Sequence, residues 1–201
     1  MLKLKFPSGL ICTGPSSSGK TELVRKLIKS NVYEREIKTV CWCFSIYQKW
    51  MASEPEIKFV CGLPPEEETF DLVVLDDLQS KLNEEVELMF RVTSHHKNFS
   101  VILITQNLFP KVRVMRDISL NTHYIVLFRN NRDASQMSCF ARQAFPLKGK
   151  YFMDAYKKAT REPYSYLFVD VHPLTCDEHR LRASIFPDAN LVNWVYVPVE
   201  Q

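Results

Sequence analysis

The stretch Leu10–Ile28, LICTGPSSSGKTELVRKLI, decides how the rest of the chain is read. An apolar run, Gly9–Thr13, climbs into Gly14. Pro15, Ser16, Ser17 and Ser18 follow, and then Gly19, Lys20 and Thr21 open a segment whose Leu23, Leu27 and Ile28 recur at helical spacing. The pattern G-x-x-x-x-G-K-[ST] is met at every fixed position, between a strand and a helix. Its chemistry explains its spacing. The glycines let the backbone wrap closely so that successive N–H groups face phosphate oxygens, and the following helix adds its positive N-terminus. Gly14, Pro15, Ser16, Ser17, Ser18, Gly19, Lys20 and Thr21 are therefore the candidate nucleotide-binding residues. Lys20 would reach the β- and γ-phosphates of ATP, and the Thr21 hydroxyl would ligate Mg2+. At average residue usage a chance match in a chain of this size arises about once in a hundred. The competing reading is a structural Gly/Ser turn.

A phosphate loop of this kind implies a second, acidic site. FDLVVLDD (Phe70–Asp77) supplies it, because an apolar strand delivers Asp76 and Asp77 at its C-terminal end, where open α/β sheets bind ligands. Asp76 is the candidate Mg2+ residue beside Thr21, and Asp77 is the candidate group that polarises an attacking water. The bland reading is that the pair caps a helix beginning near Leu78–Gln79. VILITQN (Val101–Asn107) ends a further apolar strand in Gln106, which orients water if this strand neighbours the Asp76 strand.

The chain has 201 residues, 46% hydrophobic and 24% charged, with a net charge of +3, which suits one domain over 1–201. No apolar run approaches membrane-spanning length, and MLKLKFPSG lacks a signal-peptide core, so an intracellular protein with no membrane partner is expected. The mild positive charge permits nucleic acid without demanding it. None of the six cysteines falls in a CxxC pair, so they read as reduced, mostly buried thiols, with Cys41 and Cys43 on one face of a strand.

Continuous apolar runs at Gly9–Thr13, Thr39–Ser45, Phe70–Asp76, Ser100–Thr105 and His123–Phe128 suit strands buried on both faces of a parallel sheet. Helical spacing lies between them: Leu82, Val86, Met89 and Phe90, and a segment ASQMSCFARQAF started by Asp133 with Gln136 in a capping-box pattern. The predicted fold is α/β, a P-loop NTPase three-layer sandwich with a mostly parallel central sheet. The tail, PYSYLFVDVHP and LRASIFP, reads as antiparallel edge strands.

Together GPSSSGKT, LVVLDDL, SHHKNFSVILITQNLFP, RDISLNTHYIVLFRNNRDASQMSCFARQAFP and PYSYLFVD resemble the poxvirus-type genome-packaging ATPases of large DNA viruses, virophages and Maverick/Polinton elements, in the FtsK–HerA class. The resemblance runs from the phosphate loop to about Pro187. It implies a homo-oligomeric ring, a pentamer or hexamer, that uses ATP and Mg2+ to drive double-stranded DNA into a capsid through a capsid or portal protein. Lys20, Thr21, Asp76 and Gln106 fall on the family's phosphate loop, magnesium residue and strand-end glutamine. Asp77 stands where the class commonly has glutamate.

A ring ATPase needs a cation donated by the neighbouring subunit, because charge builds on the γ-phosphate in the transition state. Arg116 best matches the class position for this catalytic arginine, with Arg113, Arg129 and Arg132 as rivals. His95 and His96 read as loop histidines or as a ring contact. The basic segments KVR, LFRNNR and LKGKYFMDAYKK read as solvated faces or as DNA phosphate contacts. Two other functions are open to the sequence: a P-loop kinase for a nucleoside or another small molecule, and a nucleotide-dependent scaffold without turnover.

Overall fold

The computed structural model describes residues 2–78, 81–108, 113–132 and 134–198. Its strands are β1 (Gly9–Thr13), β2 (Val40–Phe44), β3 (Ile57–Cys61), β4 (Leu72–Asp76), β5 (Ser100–Thr105), β6 (Tyr124–Phe128), β7 (Tyr166–Asp170) and β8 (Leu181–Arg182). They form one sheet in the order β3-β2-β4-β5-β1-β6-β7-β8. β1 to β6 pair parallel, while β7 runs antiparallel to β6 and β8 antiparallel to β7. The mostly parallel sheet with an antiparallel C-terminal edge is the expected one.

Strand parity makes the layers. Leu10, Cys12, Trp42, Val74, Ile102, Ile104, Tyr124 and Val126 turn to one face, where Leu23, Val24 and Leu27 of α1 (Lys20–Lys29) cover them with Tyr33, Met51 and Ile185. Ile11, Cys41, Cys43, Val73, Leu75, Val101, Leu103, Ile125 and Leu127 turn to the other. That second face is covered by α2 (Glu84–Leu88), a π-helical turn (Met89–Thr93) that runs on into α3 (Ser94–His96), α4 (Arg113–Leu120), α5 (Ala134–Ala144) and α6 (Gly149–Ala159). Each side chain buried this way contributes roughly 1.5–3 kcal/mol. Two-sided burial, rather than local propensity, therefore fixes the central strands.

Three expectations are corrected or extended. β3 has no continuous apolar run, because as an edge strand it buries only Ile57 fully and leaves Lys58 and Cys61 exposed. The helix that the Asp76–Asp77 pair was expected to cap, near Leu78–Gln79, runs into residues outside the described ones; α2 begins at Glu84, with the Asn83 side chain accepting the Val86 N–H at 3.2 Å. α6 falls on LKGKYFMDAYKK, read as a basic cluster, and α4 begins at Arg113, the last residue of KVR. Yet Phe152, Ala155, Tyr156 and Ala159 of α6 form an apolar stripe at 3,4-spacing, and Met115 and Ile118 do the same for α4. Cys12, Cys41 and Cys43 are buried, with Cys41 and Cys43 sulfurs 3.7 Å apart on one face, but Cys61 and Cys176 are exposed. The Asp133 cap lies outside the described residues.

The antiparallel edge is locked by a buried ion pair between Arg182 of β8 and Asp170 of β7, and the guanidinium also stacks 4.5 Å from the Phe168 ring centre. The other Asp170 oxygen accepts from the His172 N–H (3.1 Å) and the Thr175 hydroxyl (2.9 Å), so the buried charge is shared among several donors. No helix among the described residues is long and apolar enough to cross a membrane.

Candidate nucleotide site

Because β1, β4, β5 and β6 are parallel, their C-terminal ends open on one edge of the sheet, and the predicted residues converge there. Gly14–Gly19 is the turn from β1 into α1. Its Gly14 N–H donates to the Thr105 carbonyl at 3.3 Å, which ties the loop to the end of β5. A Cβ on Gly14 would lie 2.6 Å from the Phe128 Cβ, so glycine is required by the close approach of β6. Gly19, at φ 100°, is the left-handed cap of α1 and its carbonyl takes the first helical bond, from Leu23 at 2.9 Å.

Lys20 folds back over this loop. Its Nζ donates to the Gly14 carbonyl (2.7 Å) and the Pro15 carbonyl (2.8 Å), and burial pulls its pKa below the usual lysine value, against the pull of Cys12, Asp76 and Asp77. The Ser18 hydroxyl is buried with no hydrogen-bond partner among the described residues, a polar group inside a loop otherwise lined with donors. Thr21 is half-buried on the first turn of α1.

Register brings in the acidic pair. Asp76 ends β4 opposite Ile104 of β5, and Thr105 is opposite Thr13 of β1. With neighbouring strands about 4.8 Å apart, Asp76 lies roughly 10 Å across the sheet from the β1 end, and the strand carrying Gln106 fills the space between. Asp76 shares the parity of Val74 and so faces the side covered by α1. It is 5% exposed, and burial pushes its pKa up to about 6, moderated by a hydrogen bond from Trp42 Nε1 at 3.3 Å. A buried carboxylate with one weak donor has unused oxygen capacity, and hard oxygen ligands beside a phosphate loop fit Mg2+. At Asp77 the chain leaves the sheet at φ 51°, a left-handed turn aspartate tolerates, and the side chain is exposed. Gln106 is exposed one residue past β5.

The arginine candidates separate. Arg129 lines the cleft of its own chain's phosphate loop, with Phe128, Ser16 and Ser17. Arg113 and Arg116 sit on α4, where Arg113 borders a cleft shared with Glu84, Glu87, Arg91 and Asp117, and Arg116 is exposed with no ion pair among the described residues. Arg132 is exposed in the turn after β6. The histidines are not brought to this site. His95 meets His123 edge-on (ring centres 5.9 Å apart) and His123 lies tilted against His172 (5.0 Å), at the opposite end of the strands, where the Gly9 N–H donates to His123 Nδ1. A larger cleft, about 720 Å³ between Tyr151 and Asp177, also lies away from the loop.

Sequence reading misses Trp42, and it takes the aromatic-rich YSYLF (Tyr164–Phe168) for strand core rather than a base-stacking platform, whereas Tyr164 lies two residues before β7 and is exposed. Parity held the signal for Trp42: if Cys41 and Cys43 share a face, Trp42 takes the other, which is that of Asp76. Tyr164 had no such signal, because its place depends on β7 running antiparallel.

No family model matches the chain, and no curated protein matches it in sequence. Solved structures do share its fold. The genome-packaging NTPase B204 of Sulfolobus turreted icosahedral virus 2, in complex with AMP, superposes with a TM-score of 0.58 at 12% identity, over 87% of this chain and 98% of that one. The same protein with AMPPCP gives 0.58 at 11% identity, over 96% and 98%. B204, the DNA-packaging ATPase of Sulfolobus turreted icosahedral virus, gives 0.54 at 13% identity, over 96% and 99%.

Proposed function

We propose that this chain is an ATP hydrolase that drives double-stranded viral DNA into a capsid as a ring of identical subunits, in the poxvirus and Maverick/Polinton manner. One observation carries the catalytic half of the reading: the Gln106 strand pairs on one side with the phosphate-loop strand and on the other with the Asp76 strand. An amide and two carboxylates then surround the place where a γ-phosphate held by the loop would lie. The fold shared with B204 supports the packaging half, since B204 is a genome-packaging NTPase, and its complexes with ATPγS and AMPPCP support nucleotide binding.

In this reading Gly14–Thr21 binds the polyphosphate, and Lys20 leaves the two loop carbonyls to neutralise the β- and γ-oxygens. Thr21 and Asp76 would hold Mg2+, which offsets phosphate charge when bound. Gln106 orients a water in line with the γ-phosphorus. Asp77 takes a proton from that water as its oxygen bonds to phosphorus and the β–γ bridging bond breaks, giving ADP and inorganic phosphate. Arg116, exposed on α4, is the cation offered to a neighbour's γ-phosphate. DNA contact falls to exposed basic residues such as Lys148, Lys150, Lys157 and Lys158, multiplied by ring symmetry. The capsid or portal partner engages the same ring.

Product analysis tests the reaction class. With Mg-ATP and a mixture of nucleosides, inorganic phosphate should account for all the phosphate lost from ATP. A phosphorylated nucleoside would make the chain a kinase, and tight ATP binding with no product would make it a scaffold.

A further inference from the structure

We propose that the cleft between the phosphate loop and the segment leading into β7 holds the base and ribose of the bound nucleotide, with the Tyr164 ring as its stacking wall. The inference rests on the phosphate-loop reading above and extends it from the phosphates to the nucleoside.

The topology creates this cleft. Had β7 been parallel, its entry would lie at the far end of the sheet; because it runs antiparallel to β6, residues 161–165 arrive beside the ends of β1 and β6. The cleft between them, about 380 Å³, is bounded by Ser16 and Ser18 on the loop side and by Phe128, Arg129, Pro163 and Tyr164 opposite. Small-molecule sites span about 300–1,000 Å³, so it suits one flat heterocycle with its sugar. Ser16–Ser18 belong at once to the phosphate loop and to this cleft, so a ligand anchored by its phosphates continues directly into it.

Tyr164 supplies the specific signal. The residue is 73% exposed, and its backbone is left-handed at φ 62°, a conformation that is a genuine outlier for a bulky residue. The turn is closed by the Ser165 hydroxyl and N–H, both donating to the Glu162 carbonyl at 2.6 and 3.3 Å, which holds Tyr164 at its tip. The ring is aimed inward: its Cδ1 lies 3.3 Å from where a Cβ on Gly19 would stand. Core packing does not explain an aromatic held in strain, open to solvent and set against a phosphate-binding glycine; strain of this kind clusters at ligand clamps. A π-face in that position matches a nucleobase, and Arg129, lining the same cleft, adds positive charge for the adjoining phosphates.

The test compares two ligands that differ only by the nucleoside. Affinities for Mg-ATP and for magnesium tripolyphosphate are measured by calorimetry on the wild-type chain and on Tyr164→Ala, Tyr164→Phe and Tyr164→Gly. The glycine variant removes the ring while relieving the left-handed backbone, so it serves if alanine impairs folding. The proposal expects ATP affinity to fall about tenfold or more in the alanine and glycine variants, to stay near wild type in phenylalanine, and tripolyphosphate affinity to stay constant throughout. Unchanged ATP affinity without the ring overturns the base site and leaves the phosphate loop standing. Loss of both ligands in folded variants also overturns it, making Tyr164 a prop for the loop. A wild-type chain that binds neither ligand removes the phosphate-loop reading itself.

Discussion

Replacing Asp76 by asparagine is expected to abolish ATP turnover and, at the same time, to raise the melting temperature of the nucleotide-free protein. Burial holds this carboxyl near a pKa of about 6, against an ordinary 3.8. Between those values the native state keeps a proton that the unfolded chain has released, so stability falls as pH rises through about 6. Above that pH the buried charge is a standing cost, and Asn removes it while keeping an oxygen for Trp42 Nε1. A shift of this size corresponds to on the order of 3 kcal/mol, and 1 kcal/mol moves the melting point of a chain this long by about 2–4 °C. Melting curves should therefore show the variant several degrees more stable at pH 8 and equal to wild type at pH 4. Phosphate release should drop about a thousandfold or more, because the carboxylate proposed to hold Mg2+ is gone. Lys20→Ala should lose turnover to a similar degree through a different route, the missing charge on the β- and γ-oxygens. Normal hydrolysis by either variant would remove these residues from the site.

The second large effect concerns the arginine. Arg116→Ala is expected to bind ATP and assemble normally but to lose about a thousandfold or more in turnover, since the charge it meets develops only during phosphoryl transfer. Mixing separates action on a neighbour from action within the chain. Asp77→Asn subunits, expected to be inactive because Asp77 is the proposed base, are combined with Arg116→Ala subunits under conditions where subunits exchange. A mixed interface then joins an intact Asp77 site to an intact Arg116 from the neighbour, and activity returns. If exchange is demonstrated and no activity returns, Arg116 is not the donated cation, and Arg113 and Arg132 become the candidates. Arg129 is set apart because it already lines its own chain's cleft.

What was legible in the sequence follows from how strongly each feature constrains local composition. β1, β4, β5 and β6 are covered on both faces, so no polar residue interrupts them, and their runs are visible without a structure. The phosphate loop is legible for a similar reason: Gly14 has no room for a Cβ, and Gly19 needs a left-handed backbone. β3 escapes because an edge strand needs only one buried face, and α2 begins late because Asn83 takes a cap that no apolar pattern announces. α6 was hidden differently, by lysines that drew attention from the apolar stripe between them. Tyr164 was read with the strand core of YSYLF, because its exposed position is set by a strand direction rather than by its neighbours in sequence. The strand order is likewise a tertiary fact, and it is what puts Gln106 between Lys20 and Asp76.

The central claim is that this site turns ATP over in water to move DNA, and the rate of phosphate release with and without linear double-stranded DNA tests it most directly. The measurement is made with Mg-ATP while the mass of the particle is followed. The account predicts inorganic phosphate as the product, a rate that rises when DNA is added, and a particle of several subunits. A monomer whose hydrolysis is indifferent to DNA would contradict it.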